Sequence, residues 1–469
     1  MAWYYVFSAI PFLIVLLVTL GAICWMGVTI ARPAFSVFVL LAILIAFSGS
    51  TWGQLEVERT IYSRGTGVLY FSFVNYYLWG LGLVVALRNA FGRTQGEATP
   101  LAKYFAAFAF LIVANALWAG ASDDSRLNFM DAFAYNGLLN IINMAVFFYV
   151  VVNVFGFPAE MRKLLAFLLV AVGLRGVFGM VRWGAFGGDS ANVYANIENA
   201  AVRLTFFDIS DGFLATVAAF CAAWLLFQSK QLLTNWERRG LWCLLILELV
   251  VIALSFRRSS LVGMGLVCIL FVALLPSRKR LWAALISGTL LGGAGVMLMA
   301  LRLSKTGAAA RDGGFLYDLF AGGGAQGSSR LLEYTETWRS LGDYWLFGRG
   351  MWGAMQSNLA ELSYHFGNFG FVHSGFGHVL LKAGVFGLVL FVGLFVSFAL
   401  YYIRNRENLS GYQLLTADAG AAGVLFWIPT LFIGTPIIEF RSMLLLGLAL
   451  ALPFLAVRAA TMENFHATA

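Results

Sequence analysis

The stretch FVHSGFGHVLLKAGVFGLVLF, residues 371–391, runs from a histidine directly into a long apolar segment. The rest of the chain has the same character, since 61% of its 469 residues are apolar, 12% are charged and the mean hydropathy is +0.82. Soluble globular domains carry about 25% charged residues, so this composition excludes that class. Most of the chain falls into apolar runs of roughly 17–25 residues, the length of helix that crosses about 30 Å of hydrocarbon. The sequence therefore predicts an all-α, polytopic transmembrane helical bundle.

Hydropathy along the chain predicts about thirteen membrane spans, within a range of about 12–14. They lie near residues 4–29, 34–48, 67–87, 104–120, 135–155, 164–181, 212–227, 241–256, 259–275, 281–301, 373–403, 415–432 and 442–457. The chain then divides into N-terminal spans (1–301), a large and partly helical external loop (302–372), and C-terminal spans with a cytoplasmic tail (373–469). Function is expected at the external loop, because it holds most of the mass outside the membrane.

Basic residues in short loops set the orientation, because loops rich in Lys and Arg stay in the cytoplasm. The loops that contain Arg88, Lys163, Arg238 and Lys279 fall on one side and carry about fifteen basic residues, against about eight in the short loops opposite. This bias places the C-terminus in the cytoplasm and the loop 302–372 outside. It also accounts for the net charge of +8, so no nucleic-acid partner is expected.

Cysteines and metal-ligand patterns point to no further chemistry. All four cysteines lie in apolar runs, without a C-x-x-C pair or a His/Cys cluster. The sequence therefore predicts neither a disulfide framework nor a zinc site, and no cofactor is expected.

Within the external loop, residues 330–356 show helical spacing of apolar side chains at Leu331, Tyr334, Trp338 and Leu341. This spacing predicts an amphipathic helix that lies at the outer membrane surface.

Arginines on the external side form the first part of a candidate site. Arg257 and Arg258 lie in a short external turn, and the large loop adds Arg330, Arg339 and Arg349. Positive charge on this side opposes the usual bias, and the arginine fork matches phosphate oxygens. These residues predict a binding site for a lipid-linked pyrophosphate. Arginines that only reach towards lipid headgroups are the alternative.

His373 forms the second part, at the mouth of the span that follows the external loop. A neutral imidazole is the natural base near pH 7 for removing a proton from a sugar hydroxyl. His365 and His378 are competitors, but His365 lies within the loop and His378 about 140° around the helix. We favour His373.

Glycines lie below His373 on one face of the predicted helix, at Gly377, Gly384 and Gly387. Small residues on a membrane helix allow a second helix to pack closely. Alternatively, the strip forms a groove for an isoprenoid tail whose phosphate end lies at His373. Both interpretations stay open.

Residues 373–387, HSGFGHVLLKAGVFG, have the order His, then Ser, Asn or Gln, nine residues, Gly, two residues, Gly. This order resembles the signature of the bacterial O-antigen ligase and Wzy-type polymerase superfamily. Residues 257–261 resemble the family's Arg-x-x-x-Leu element. Residues 328–350 resemble its loop segment of Arg, Trp and Gly-x-Gly. The resemblance covers roughly residues 240–400.

The resemblance implies a metal-independent, inverting glycosyltransferase that uses an undecaprenyl-diphosphate-linked glycan as donor and a second glycan as acceptor. His373 would be the base that activates the acceptor hydroxyl. Arg257 and Arg330 would clamp the donor's pyrophosphate. Arg258 and Arg349 would assist them, and Arg339 would be the substitute for Arg330. The implied location is the bacterial inner membrane, with the active site on the periplasmic side.

Two products are possible within this superfamily. A polymerase joins lipid-linked repeat units into an O-antigen or exopolysaccharide, whereas a ligase moves the finished glycan to lipid A core. The external loops 182–211 and 302–372 both carry arginines and resemble the paired loops of O-antigen polymerases, which favours the polymerase. A chain-length regulator protein is a candidate partner of such an enzyme.

Two further classes compete with this interpretation. A lipid-linked glycan transporter would use intramembrane charges, for which Arg175, Glu248 and Lys382 are candidates. A metal-dependent glycosyltransferase would use external acidic residues. The candidates for that class are Glu56, Glu58, Asp123 and Asp124.

Overall fold

The computed structural model describes residues 20–21, 24–47, 61–62, 71–91, 99–121, 129–133, 137–186, 208–228, 233–255, 258–276, 279–280, 284, 288, 292–293, 325–357, 367–370 and 372–468. Twelve helices carry the fold over these ranges: α1 Pro33–Ala46, α2 Phe73–Ala90, α3 Ala102–Ala121, α4 Leu139–Val154, α5 Pro158–Phe186, α6 Ile209–Gln228, α7 Asn235–Ser255, α8 Arg258–Leu274, α9 Ala325–Leu341, α10 Gly375–Arg406, α11 Gly411–Ile433 and α12 Phe440–Thr468. Short strands β1 (Met355–Ser357) and β2 (Gly367–Phe369) form an antiparallel pair in which Gln356 lies opposite Asn368. The prediction of an all-α polytopic bundle is confirmed.

Membrane spans are recognised by helix length and apolar composition. Within the described residues five helices meet both criteria, namely α5, α6, α10, α11 and α12. A sixth span results if helix Cys24–Ala31 and α1, bent by 113°, cross together. Shorter apolar helices at Ala102–Trp118, Leu139–Val154 and Ser259–Leu274 coincide with three further predicted spans. The predicted spans at 4–29 and 281–301 lie largely outside the described residues.

The core of the bundle is built around α12. This helix packs against α4 on one side and α11 on the other, and its side chains from Met443 to Ala456 are almost entirely buried. An all-round apolar helix is expected in such a position. Small residues allow the close approach, since a Cβ at Gly420 would lie 2.7 Å from the carbonyl oxygen of Ala449.

A buried ion cluster connects four helices at one end of the bundle. Arg441, at the start of α12, donates to Asp208 at 2.6 Å and to Asp211 at 2.7 Å, and its Nε donates to the carbonyl of Leu44 at 2.5 Å. Arg175 of α5 adds a 3.3 Å ion pair to Asp211. Because each charge has an opposite partner, the cluster can lie within the bundle and fix α1, α5, α6 and α12 together.

Helix α9 differs from its prediction in both extent and orientation. It begins at Ala325 and ends at Leu341, before Gly342 with a φ of 50°. Trp338 is 53% exposed, although the apolar spacing included it. The buried face is mainly polar and carries Glu333, Glu336, Thr337 and Ser340. Hydrogen bonds explain this burial in part, since the Ser340 hydroxyl both accepts from and donates to the backbone of Gln356 in β1.

Helix α10 is interrupted at Gly384, which has φ 65° and ψ −165°. A loop formed by residues 345–350 fills the break with four backbone hydrogen bonds. Arg349 and Gly350 donate to the carbonyls of Leu381 and Lys382 at 2.9 and 3.1 Å. In return, the N–H groups after the break, at residues 385 and 386, donate to the carbonyls of residues 345 and 346 at 2.9 and 3.0 Å. The 345–350 loop is thus joined to α10 by backbone pairing.

Candidate active site

His373 lies immediately before the first turn of α10. The next residue, Ser374, is the N-cap of the helix, and its hydroxyl accepts from the N–H of Gly377 at 3.1 Å. The same hydroxyl donates to the carbonyl of Leu431, at the end of α11, at 3.2 Å. A Ser N-cap fixes where a helix begins, so it also fixes the position of the histidine before it.

Glu333 of α9 holds His373 through two contacts. One carboxylate oxygen accepts from the His373 backbone N–H at 2.8 Å, and the other lies 3.0 Å from Nδ1 of the ring. The Glu333 side chain is only 1% exposed, whereas that of His373 is 27% exposed. Because a carboxylate can only accept, the contact with Glu333 favours the neutral tautomer in which Nδ1 carries the hydrogen and Nε2 the lone pair. The pair therefore presents an oriented base at the protein surface.

Tyr334, next to Glu333, fastens α9 to the ends of two membrane helices. Its hydroxyl lies within hydrogen-bond distance of the Ser374 hydroxyl and, at 2.9 Å, of the carbonyl oxygen of Phe432. Burial raises the pKa of the Tyr334 phenol, so the hydroxyl stays protonated near neutral pH and can serve as a donor. The ring packs over Gly377, where an added Cβ would lie 3.4 Å from it.

Arg349 lies in the 345–350 loop, where this loop pairs with α10. Its side chain is half-buried, and its Nε is buried without a hydrogen-bond partner among the described residues. Its backbone partner Leu381 follows His373 by eight residues, which is roughly 12 Å along a helix. Lys382 supports the loop, since its amine donates to the carbonyl of Gly353 at 2.6 Å. A buried guanidinium nitrogen with an unused donor is suited to an anionic oxygen.

The structure describes the side chains of the other predicted arginines only in part. Arg339 is 68% exposed at its side chain and forms an ion pair with Glu336 at 2.6 Å. Arg330 lies in α9 one turn before Glu333, and Arg258 is the first residue of α8, but their side chains lie outside the described part of the structure. Arg257 lies outside the described residues altogether.

The start of α8 and the start of α10 both lie against α11. At Gly263 of α8, an added Cβ would lie 2.8 Å from the carbonyl oxygen of Phe426. At Gly375 of α10, an added Cβ would lie 3.3 Å from the carbonyl oxygen of Leu431. The starts of α8 and α10 are therefore neighbours across one helix, and both belong to the end of the bundle that carries His373.

The three glycines below His373 are all buried. The predicted single helical face through Gly377, Gly384 and Gly387 is wrong in one respect, because the break at Gly384 interrupts the helical rotation. Gly384 instead meets the 345–350 loop, where an added Cβ would lie 2.5 Å from the backbone nitrogen of Gly348. Gly387 packs against Ala383 of its own helix. The lipid groove itself stays a prediction.

The charged residues of the transporter interpretation and the competing histidine do not belong to the pair formed by Glu333 and His373. Arg175 is paired with Asp211, and Lys382 is bound to the carbonyl of Gly353. Glu248 is 1% exposed and lies next to Gly176, where an added Cβ would be 2.9 Å from its carboxylate. His378 is fully buried, with Nε2 3.2 Å from the carbonyl oxygen of Gly137.

Within the described residues, no group of three His, Cys, Asp or Glu side chains could hold a metal ion. The residues of the metal-dependent alternative, Glu56, Glu58, Asp123 and Asp124, lie outside the described ranges, as does His365.

Comparison with known proteins shows which family this part of the chain resembles. Among curated proteins, none matches the chain in sequence. The model of the O-antigen ligase family (Wzy_C) matches residues 242–392. The match runs from α7 into α10 and contains Glu333, Arg349 and His373. Residues 242–392 are therefore similar to the O-antigen ligase family, and the resemblance inferred from the sequence is confirmed.

Proposed function

We propose that the protein is a glycosyltransferase that joins undecaprenyl-diphosphate-linked repeat units into a surface polysaccharide. The reaction takes place at the periplasmic face of the bacterial inner membrane. The family domain supports membrane glycan processing of the ligase or polymerase type. The observation that carries the proposal is the double contact of Glu333 with the ring and the backbone of His373.

The chemistry follows from this pair. As the acceptor oxygen bonds to the anomeric carbon of the donor, its proton passes to Nε2 of His373. The bond from the anomeric carbon to the phosphate oxygen breaks, and its electron pair leaves with the diphosphate. The resulting imidazolium is stabilised by the Glu333 carboxylate, 3.0 Å from Nδ1. Attack opposite to the leaving group inverts the configuration at this carbon.

Charge on the leaving diphosphate needs positive partners. Arg349 supplies one guanidinium with an unused buried donor. In this proposal the others are Arg330, one turn before Glu333, Arg258, the first residue of α8, and Arg257, which precedes it in the sequence. Fixed guanidinium groups stabilise developing negative charge without a metal ion, so the proposed reaction requires none.

A ligase is the second candidate. The family model is described as an O-antigen ligase, which favours transfer of a finished glycan to lipid A core. The polymerase remains our first choice because two external segments of the sequence, 182–211 and 302–372, carry arginines. Both candidates share the site and the chemistry, and they differ in the acceptor.

The test uses the purified full-length protein in lipid nanodiscs with a defined undecaprenyl-diphosphate oligosaccharide. A ladder of longer lipid-linked products is expected for a polymerase. Product formed only after lipid A core is added would establish the ligase instead. Transfer should persist in EDTA, and loss in the chelator would contradict the metal-free reaction.

The matching variants are His373→Ala and His378→Gln. The first should lose transfer while its thermal unfolding temperature stays near that of the wild type, because the ring lies at the surface. The second should keep transfer, since His378 is buried away from the pair. Full transfer by His373→Ala would reject the proposed base.

A further inference from the structure

A cavity of about 630 Å³ lies at the opposite end of the bundle from His373. It is bounded by the start of α1, the end of α2, the end of α4, the start of α5 and the later part of α12. Four cations line it, Arg32, Arg88, Lys163 and Arg458, against the single carboxylate of Glu160. Its excess of positive charge suits an anionic ligand.

Position along α12 gives the distance from the active-site end. Ile437, just before this helix, packs at Gly375 of α10, which is two residues from His373. Arg458 follows the first residue of α12 by eighteen positions, or about 27 Å along the helix. That length is close to the hydrocarbon thickness of a bilayer, so the cavity lies near the other membrane surface. The positive-inside bias predicts that this surface is cytoplasmic.

The cavity combines anion-binding and apolar walls. Pro33, the first residue of α1, lines the cavity, and Pro158, the first residue of α5, follows the lining residue Phe157. No side chain caps the start of α1, and Pro33 and Ala34 there line the cavity, so the positive dipole end of this helix lies at the cavity wall. Aromatic rings form the apolar part, and Phe35 and Phe157 are each 51% exposed. Phenylalanine rings beside Lys and Arg are found on helices that lie in a membrane interface.

We propose that this cavity binds the phosphate headgroup of an anionic phospholipid from the adjacent leaflet. The cations hold the phosphate oxygens, and the acyl chains lie along the exposed aromatic rings. The volume is within the usual range of about 300–1,000 Å³ for small-ligand sites. Basic pockets between membrane helices are a known means of holding such headgroups. The site is separate from the glycan-transfer site and does not depend on the proposed reaction.

The test measures lipid binding by native mass spectrometry on the full-length protein in neutral detergent. Phosphatidylglycerol is titrated against the wild type and the double variant Arg32→Gln/Lys163→Gln, whose two side chains line the cavity and are exposed. The control is Arg162→Gln/Arg239→Gln, which removes two exposed cations that do not line it. Since one basic residue near an anionic headgroup contributes about a factor of five, the first double variant should bind roughly 30-fold more weakly.

The control variant should bind phosphatidylglycerol like the wild type, and phosphatidylcholine should show no difference among the three proteins. Equal affinity of both double variants for phosphatidylglycerol would overturn the proposal. A parallel titration with pyrophosphate distinguishes the source of the phosphate. If the bound mass is that of pyrophosphate and phosphatidylglycerol adds none, the lipid proposal is rejected in favour of a soluble anion.

Discussion

Replacement of Glu333 by Gln tests the arrangement of the candidate base most directly. The amide has the same shape as the carboxylate but only one acceptor oxygen, whereas the carboxylate accepts at two points on His373. If the amide oxygen accepts from the backbone N–H, the amide NH2 group faces Nδ1 of the ring. Nδ1 must then act as acceptor, so the hydrogen moves to Nε2 and the base is lost.

The expected size of the effect follows from two losses. The wrong tautomer removes the proton acceptor, and the imidazolium loses an anionic partner that lies 3.0 Å from Nδ1. Together these should raise the barrier by about 3–5 kcal/mol, which is roughly 10²- to 10⁴-fold in rate. The reduction should appear in kcat, while the donor affinity stays close to that of the wild type, because the pair acts on the acceptor proton.

The assay follows transfer from a defined lipid-diphosphate oligosaccharide by the purified variant, with thermal unfolding as the check on folding. Glu336→Gln is the matched control, since Glu336 lies on the same helix and pairs with the exposed Arg339. An exposed partner contributes little, so the control should stay within about threefold of the wild type. Equal activities of the two variants would refute the role assigned to Glu333.

Three further changes probe the loop, the charge and the scaffold. Gly384→Ala should cost about 1–3 kcal/mol in backbone strain and detach the 345–350 loop, which should then show faster hydrogen exchange. Gly80→Ala, where the added Cβ meets open space, should leave the hydrogen exchange of this loop unchanged. Arg349→Lys should raise the KM for the donor about tenfold because the fork is lost, and an unchanged KM would argue against it. Asp211→Asn should destabilise the fold by about 3–5 kcal/mol by leaving Arg441 underpaired, which calorimetry can measure, without changing kcat of the folded protein.

Much of the architecture could be predicted from the sequence, because the thickness of hydrocarbon selects helix length and composition. Helices α10, α11 and α12 lie where apolar runs predict them. The break in α10 could not be predicted. The residues around Gly384 read as continuous apolar helix, and the groups that open it belong to a loop more than thirty residues earlier in the chain.

The candidate site was predictable only in part. His373 and the Ser374 cap stand out because a polar pair precedes an apolar run. Glu333 could not be predicted, because apolar spacing defined the expected buried face of α9 and a buried carboxylate does not follow from such a pattern. The one available signal was an acidic residue within an arginine-rich loop. Its partner is forty residues away, so only the tertiary structure joins them.

The backbone pairing at Gly384 has a consequence for protein engineering. A cassette of residues 302–372 exchanged between relatives would leave the acceptors and donors of α10 facing a foreign loop. Chimeras built to alter glycan preference should therefore be joined after Phe386, so that the loop and the stretch of α10 that it pairs with come from the same relative. Residues 302–372 and the part of α10 up to Phe386 should be exchanged together.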